Sequence, residues 1–264
     1  MSDAIGPWAV IAGGSEGIGA AFADELAARG LNLVLIARNP DKLDELKTEL
    51  AQKFPTVSVR TLAVDLSSSD AVDIIARNTT DIEVGTLVYN VGSESVFDDF
   101  LDQSLDHLNG RLLRNVTVKV GLVHHFASLM RPRKKGSIIL MGSQSGYYGA
   151  AGFAIYCATK AFSRYLSEAL WYEFKQDNIN LLCPAAGPTD TPTMRRAYGE
   201  FRGTPADPAW IARMSLDHID KGPIWVADDI AERVAVMNAL PPRERAERAA
   251  ESAAAFAKRS KAPA

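Results

Sequence analysis

Tyr156 and Lys160 stand four positions apart in the run Tyr156-Cys157-Ala158-Thr159-Lys160. On a helix that spacing puts both side chains on one face. A phenol with a pKa near ~10 is a poor base at neutral pH, but a neighbouring ammonium favours its phenolate, so the pair is fit to pass a proton to or from a reacting oxygen. The spacing alone recurs by chance on many helices, and its weight comes from its surroundings. Far upstream, Gly13-Gly14-Ser15-Glu16-Gly17-Ile18-Gly19 follows one apolar run and opens a helical one. Such a turn lets backbone N–H groups approach a pyrophosphate at the positive end of a helix. Its spacing, G-x-x-x-G-x-G, differs from the commoner fingerprint G-x-G-x-x-G. An acidic residue about 20 positions further on would bind a ribose 2′-hydroxyl. Here the second apolar run ends instead in Ile36-Ala37-Arg38-Asn39. Arg38 offers a planar fork to a 2′-phosphate, which favours NADP(H) and leaves NAD(H) possible.

Elements that position these residues can be read from periodicity. Trp8 to Ala12, Asn32 to Ile36, Val57 to Ala63, Thr86 to Tyr89, Ser137 to Met141 and Asn178 to Cys183 are short β-branched runs that predict buried strands. Between them, Ile18, Phe22 and Leu26, and again Phe162, Leu166 and Leu170, recur every four residues and mark helices with one apolar stripe. Strands alternating with helices require crossovers, hence a parallel sheet covered on both faces. The expectation is a single α/β domain over residues 1–264, a three-layer, doubly wound, Rossmann-like fold. After Gly187, frequent Pro and Gly predict an irregular or helical substrate lid over about 188–228. The Ala-rich end, about 241–261, reads as a solvated helix with Glu244 and Arg248 paired i, i+4. No seventh strand is evident after the sixth.

Composition narrows the partners. A formal charge of −3 and a pI near 5.9 supply no positive field for nucleic acid or an anionic membrane surface. No amino-terminal leader pattern and no apolar run of ~20 residues is present, which predicts a cytoplasmic protein without a membrane span. Cys157 and Cys183 are the only cysteines and read as reduced thiols. His124 and His125 point about 100° apart on a helix and lack partner ligands, so no metal is expected.

In order and spacing, the chain from Trp8 to Thr191 resembles the short-chain dehydrogenase/reductase family. The family's TGxxxGxG turn matches Ala12 to Gly19. Its acid after the third strand matches Asp65, followed by Leu66, and its NNAG turn matches Tyr89-Asn90-Val91-Gly92. Its serine matches Ser143, thirteen residues before Tyr156, its helix asparagine matches Asn115, and its PG loop with a later threonine matches Ala186-Gly187 and Thr191. The resemblance implies that Tyr156 exchanges a proton with the substrate oxygen while Ser143 hydrogen-bonds it. Lys160 would hold the nicotinamide ribose and Asn115 would kink its helix and hold a relay water. Gly13, Ser15, Gly17, Ile18, Gly19, Arg38, Asp65, Leu66, Asn90, Val91, Gly92, Gly187, Thr189 and Thr191 would contact the cofactor. It also implies a homodimer or homotetramer, with the helices carrying Asn115 and Tyr156 as the dimer contact.

The sequence departs from the pattern at Ala12, Tyr89, Val91 and Ala186, all scaffold positions near the cofactor. None removes a proton-transferring group. Tyr147, Tyr148, Phe153, Met194 and Trp210 are candidate pocket residues, a lining that suits a bulky apolar ketone or secondary alcohol. The expected reaction is therefore NADP(H)-dependent interconversion of a carbonyl and an alcohol. A 3-ketoacyl-thioester reductase is the alternative, for which Arg131, Arg133, Lys134 and Lys135 offer a basic loop to an acidic carrier. A sugar-nucleotide epimerase would need a larger carboxyl-terminal part. A non-catalytic NADP(H) sensor is the reading from another class, and its signature would be loss of the tyrosine, lysine or serine.

Overall fold

The computed structural model describes residues 6–93, 97–199 and 204–260, with side chains to residue 255. In chain order it runs β1 (Trp8–Ala12), α1 (Gly17–Ala28), β2 (Asn32–Ala37), α2 (Pro40–Lys53), β3 (Val59–Ala63), α3 (Ala71–Arg77) and β4 (Val84–Tyr89). There follow α4 (Leu105–Leu112), α5 (Val118–Met130), β5 (Gly136–Leu140), α6 (Ala154–Lys175), β6 (Ile179–Ala185), α7 (Pro192–Tyr198), α8 (Pro208–Asp217), β7 (Ile224–Val226), α9 (Asp228–Ala239) and α10 (Pro242–Ser260). The six expected strands are present, with ends moved by a residue or two.

The strands form one parallel sheet in the order β3-β2-β1-β4-β5-β6-β7. Both faces are buried, as the unbroken apolar strands demand. Along β1, Ala9 and Ile11 enter one core with Phe22, Leu26 and Leu33, whereas Val10 and Ala12 enter the other with Leu87, Val123 and Phe126. Strand order reverses between β1 and β4, whose ends align Ala12 with Tyr89. The crevice beyond that switch point is where an open α/β sheet binds ligands.

Three expectations are corrected. A seventh strand exists: Ile224–Val226 pairs with Cys183, Pro184 and Ala185 of β6. Three residues are too few to show a period, and Trp225 is held by Trp210 and His218 at ring distances of 5.5 and 5.7 Å. The lid is shorter than the stretch 188–228, part of which lies outside the described residues. Of it, α7 faces the crevice, but α8 is a core helix that buries Ile211, Ala212 and Leu216 against the α1 side of the sheet. Arg29, the residue that caps the carboxyl end of α1, fastens the end of α8 through Asp217 at 2.8 Å. The terminal helix α10 is not solvated all round, because Ala249 and Ala253 are buried. Within it Arg243 pairs with Glu247 at 3.0 Å, one position earlier than the expected pair.

Candidate functional site

Ala154 to Lys175 makes one helix, so Tyr156 and Lys160 share its face toward the crevice. Lys160 is buried, its Nζ lies 5.7 Å from the centroid of the Tyr156 ring, and it donates to the Met141 carbonyl at 2.9 Å. Met141 and Gly142 continue β5 and deliver Ser143, whose hydroxyl accepts from the Ser145 amide at 3.2 Å. Burial pushes the Lys160 ammonium down to about 8, with Cys183 opposing the shift and Arg114 adding to it. Ser143, Tyr156 and Lys160 all line one cleft of about 1290 Å³. That exceeds the ~300–1,000 Å³ of ordinary small-ligand pockets and gives room for a long cofactor with a second molecule.

At the other end of the cleft lies the glycine turn. Gly17 has φ +58°, and a Cβ at Gly19 would stand 1.9 Å from the Gly13 carbonyl oxygen, so the turn closes only with glycines. Asn90 Nδ2 donates to that same Gly13 oxygen at 3.2 Å. Gly13, Ser15, Gly17, Ile18 and Asn90 line the cleft, and so do Arg38, Asp65, Leu66, Val91 and Gly92. Gly187, Thr189 and Thr191 close its far wall. Thr189 Oγ1 donates to the Gly187 carbonyl, and Thr191 caps α7 by accepting from the Met194 amide at 3.2 Å.

Two expected residues are not in the cleft wall. Gly19 lies beneath the turn, where it supports Gly13 rather than facing the cavity. Asn115 is buried in a π-helical turn, Leu113–Thr117, that joins α4 to α5. Its amide donates to Thr159 Oγ1 at 3.2 Å and so ties the turn to α6. Gly92 makes room for it, since a Cβ there would meet Asn115 Oδ1 at 2.4 Å. Of the aromatic candidates, Tyr148, Phe153 and Met194 line the cleft. Tyr147 packs under Arg164 instead, and Trp210 against Trp225. Three of the four basic-loop residues have internal partners. Arg131 and Lys134 pair with the buried Asp177 at 3.0 and 2.5 Å, and Arg133 donates to the Val84 carbonyl.

Sequence reading missed several residues. Glu16, inside the turn, accepts from Lys42 of α2 at 2.5 Å, from Thr193 at 2.7 Å and from Arg196 of α7. Burial works against its charge, but these bonds, led by Arg196, bring it down to about 2. Lys42, in the first turn of α2, lines the cleft as Arg38 does, with its own charge paired to Glu16. The position of Lys42 on the first turn after Asn39 was the available signal. Ala249, Ser252 and Ala253 of α10 supply an unforeseen wall. Among the described residues, no group of His, Cys, Asp and Glu is arranged to hold a metal, and no helix is long and apolar enough to cross a membrane.

The sequence profile of the family described as short chain dehydrogenase matches residues 7–200. The very-long-chain 3-oxoacyl-CoA reductase of Bos taurus is 38% identical over 180 residues, which are 66% of this chain and 57% of that protein. The chain thus matches little more than half the length of that relative. A short-chain dehydrogenase from Sphingobium yanoikuyae, solved in complex with NADPH, superposes with a TM-score of 0.76 at 27% identity, covering 92% of this chain and 99% of the other. A 7beta-hydroxysteroid dehydrogenase superposes with a TM-score of 0.86 over 93% and 97% of the two chains; at 22% identity it speaks for the fold alone. A glycine turn at the switch point of a seven-stranded parallel sheet, a tyrosine and lysine on one helical face and a profile match over residues 7–200 have one meaning: the chain is an oxidoreductase of the short-chain dehydrogenase/reductase family.

Proposed function

We propose that this protein reduces the keto group of 3-oxoacyl thioesters with NADPH. The observation that carries the reading is the likeness to the 3-oxoacyl-CoA reductase over 180 residues, a span of the length that holds both the glycine turn and the Tyr156–Lys160 helix. The cleft supports it: Arg38 offers its guanidinium to a 2′-phosphate, while Phe153, Met194, Ala249 and Ala253 offer apolar surface to a chain. The broader reading, a bulky apolar ketone or secondary alcohol, uses the same wall but has less support among relatives. The basic loop has mostly internal partners, which favours a small thioester over a carrier protein.

In this reading the bound nicotinamide supplies the hydride. Tyr156 gives its phenolic proton to the carbonyl oxygen as charge develops there, and Ser143 donates a hydrogen bond to the same oxygen. Lys160, fixed on Met141, supplies the positive field that makes the phenol a better acid. Asn115 holds the π-helical turn against α6 through Thr159. Tyr156, Lys160 and Ser143, the groups whose loss would mark a silent sensor of this fold, are all present, so the chain is read as catalytic. Pairing of copies belongs to the proposal, because α4, α5 and α6 expose Leu105, Val120, Tyr165 and Tyr172.

The test is NADPH oxidation with 3-oxoacyl-CoA esters of rising chain length, beside bulky ketones and with NADH in parallel. Turnover that improves with chain length and drops about 10³-fold in Tyr156→Phe is expected. Reduction of ketones with no turnover of any thioester would overturn the substrate reading.

A further inference from the structure

Ser143 opens a tight turn, Gln144–Gly146, and its hydroxyl oxygen accepts from the Ser145 amide at 3.2 Å. That bond occupies a lone pair and leaves the hydroxyl hydrogen free for donation, which is what a reacting carbonyl oxygen needs from Ser143. The aim of the donor therefore depends on where the turn sits. At its start the Gln144 amide donates to the Ala186 carbonyl, just after β6, at 3.0 Å. At its close the Gly146 amide donates to the Ser143 carbonyl at 2.9 Å, and the Tyr147 amide to that of Gln144 at 3.2 Å. Gly146 rests on the backbone of α6, where a Cβ would stand 2.8 Å from the Lys160 carbonyl. Tyr147 then meets a side chain of the same helix. The Arg164 guanidinium, one helical turn after Lys160, lies 4.8 Å from the centroid of the Tyr147 ring. Glu168 accepts from its Nη1 at 3.0 Å, and the Tyr165 ring lies 4.3 Å away. The Arg164 Nε is buried, and among the described residues no hydrogen-bond acceptor reaches it. A guanidinium N–H withdrawn from water without an acceptor is costly, and an apolar residue at 164 would avoid that cost. Contact with the ring of Tyr147 offsets it, because a cation over an aromatic face is held more strongly as water is removed.

We propose that Arg164 and Tyr147 form a clamp that aims the hydroxyl of Ser143, both acting as positioning residues for the site. Neither lines the cleft, so neither acts by touching substrate or cofactor. Helix α6 then aligns both halves of the proton-handling site by itself. Tyr156 and Lys160 stand on its first two turns, and Arg164, a turn later, holds the segment that carries Ser143. A shift of that segment along α6 would leave Tyr156 and Lys160 in place while turning the Ser143 donor away from the oxygen they serve. The clamp therefore acts on kcat, through the step in which that oxygen gains charge, and not on cofactor binding.

The inference rests on the reading of Ser143 as hydrogen-bond donor to the substrate oxygen, and the experiment separates the two. kcat and KM are measured with NADPH and the best substrate found among the thioesters and ketones, for Arg164→Met, Arg164→Lys, Tyr147→Leu and Tyr147→Phe. Each is made in the wild-type and in the Ser143→Ala background. Loss of one transition-state donor costs roughly 10²–10³-fold in kcat, and a misdirected donor a part of that. Arg164→Met and Tyr147→Leu are expected to lose about tenfold in kcat with the KM for NADPH little moved. Arg164→Lys, which keeps the charge, and Tyr147→Phe, which keeps the ring, are expected to recover much of it. In the Ser143→Ala background the same substitutions are expected to cost about twofold at most, because the group they aim is gone. Tyr147→Leu, in the turn itself, carries the same test if Arg164→Met does not fold. Equal losses in both backgrounds would overturn the clamp and leave the two residues to the packing of α6, as would a wild-type kcat in Tyr147→Leu. Undiminished kcat in Ser143→Ala alone would instead sink the reading of Ser143 as the donor.

Discussion

Glu16 joins three parts of the chain through one carboxylate: the glycine turn, α2 through Lys42 and α7 through Thr193 and Arg196. Its value of about 2 lies below the 4.5 of a free glutamate, so its contribution to stability is complete above about pH 4.5 and fades as pH falls toward 2. Thermal unfolding between pH 5 and 2 is expected to be flatter in Glu16→Gln than in wild type. Arg38, at the exposed rim of the same cleft, makes a different prediction. Arg38→Ala removes one charge-assisted partner of a 2′-phosphate, worth about 2 kcal/mol, and is expected to raise the KM for NADPH some 30-fold while that for NADH barely moves. Arg38 was legible in the sequence because an arginine replaces an expected acid. Arg196 was not, since it gains meaning only from Glu16, far away in the chain. Tyr89 read as a mere departure from a turn motif. In the structure its hydroxyl donates to the Arg114 carbonyl and anchors the turn that carries Asn115.

At the scale of elements, the strands and the glycine turn were readable because their residues serve one local purpose each. Gly19 illustrates this. The nearest backbone oxygen leaves no space for a methyl group, so Gly19→Ala must displace the turn, with an expected loss of about 1–3 kcal/mol in denaturant unfolding and of measurable NADPH binding. Of the carboxyl-terminal elements, β7 escaped because nothing local marks it, and α10 was foreseen as a helix but not for its buried side. Strand β7 is three residues long, and α10 hides its buried stripe among alanines, which look alike whether they face water or a cavity. With Ala253 in the cleft wall, Ala253→Phe is expected to exclude about two methylenes of a long acyl chain. At ~0.8 kcal/mol each, that raises KM about tenfold for long 3-oxoacyl esters and leaves short ones unchanged.

For the whole molecule, the unbroken apolar runs of β1 and its neighbours, alternating with helices, already implied a sheet with two buried faces, and the structure supplies both cores. What a single chain does not hide is the row of apolar residues on α4, α5 and α6. Tyr165 and Tyr172 are 62% and 76% exposed, and Leu105 73%. If copies pair there, Tyr165→Asp with Tyr172→Asp buries charge at the contact and shifts sedimentation toward the monomer; an unchanged sedimentation coefficient would place the contact elsewhere.

The position of α10 at residues 242–260 bears on how the protein is made. Synthesis runs from the amino end, and by the time Thr191 has left the ribosome the glycine turn, Ser143, Tyr156 and Lys160 all exist. Ala249, Ser252 and Ala253 have not yet been joined to the chain. The nascent protein thus completes the glycine turn and the Tyr156–Lys160 helix while its cavity still lacks a side, and α10, translated after them, is the helix that closes the room.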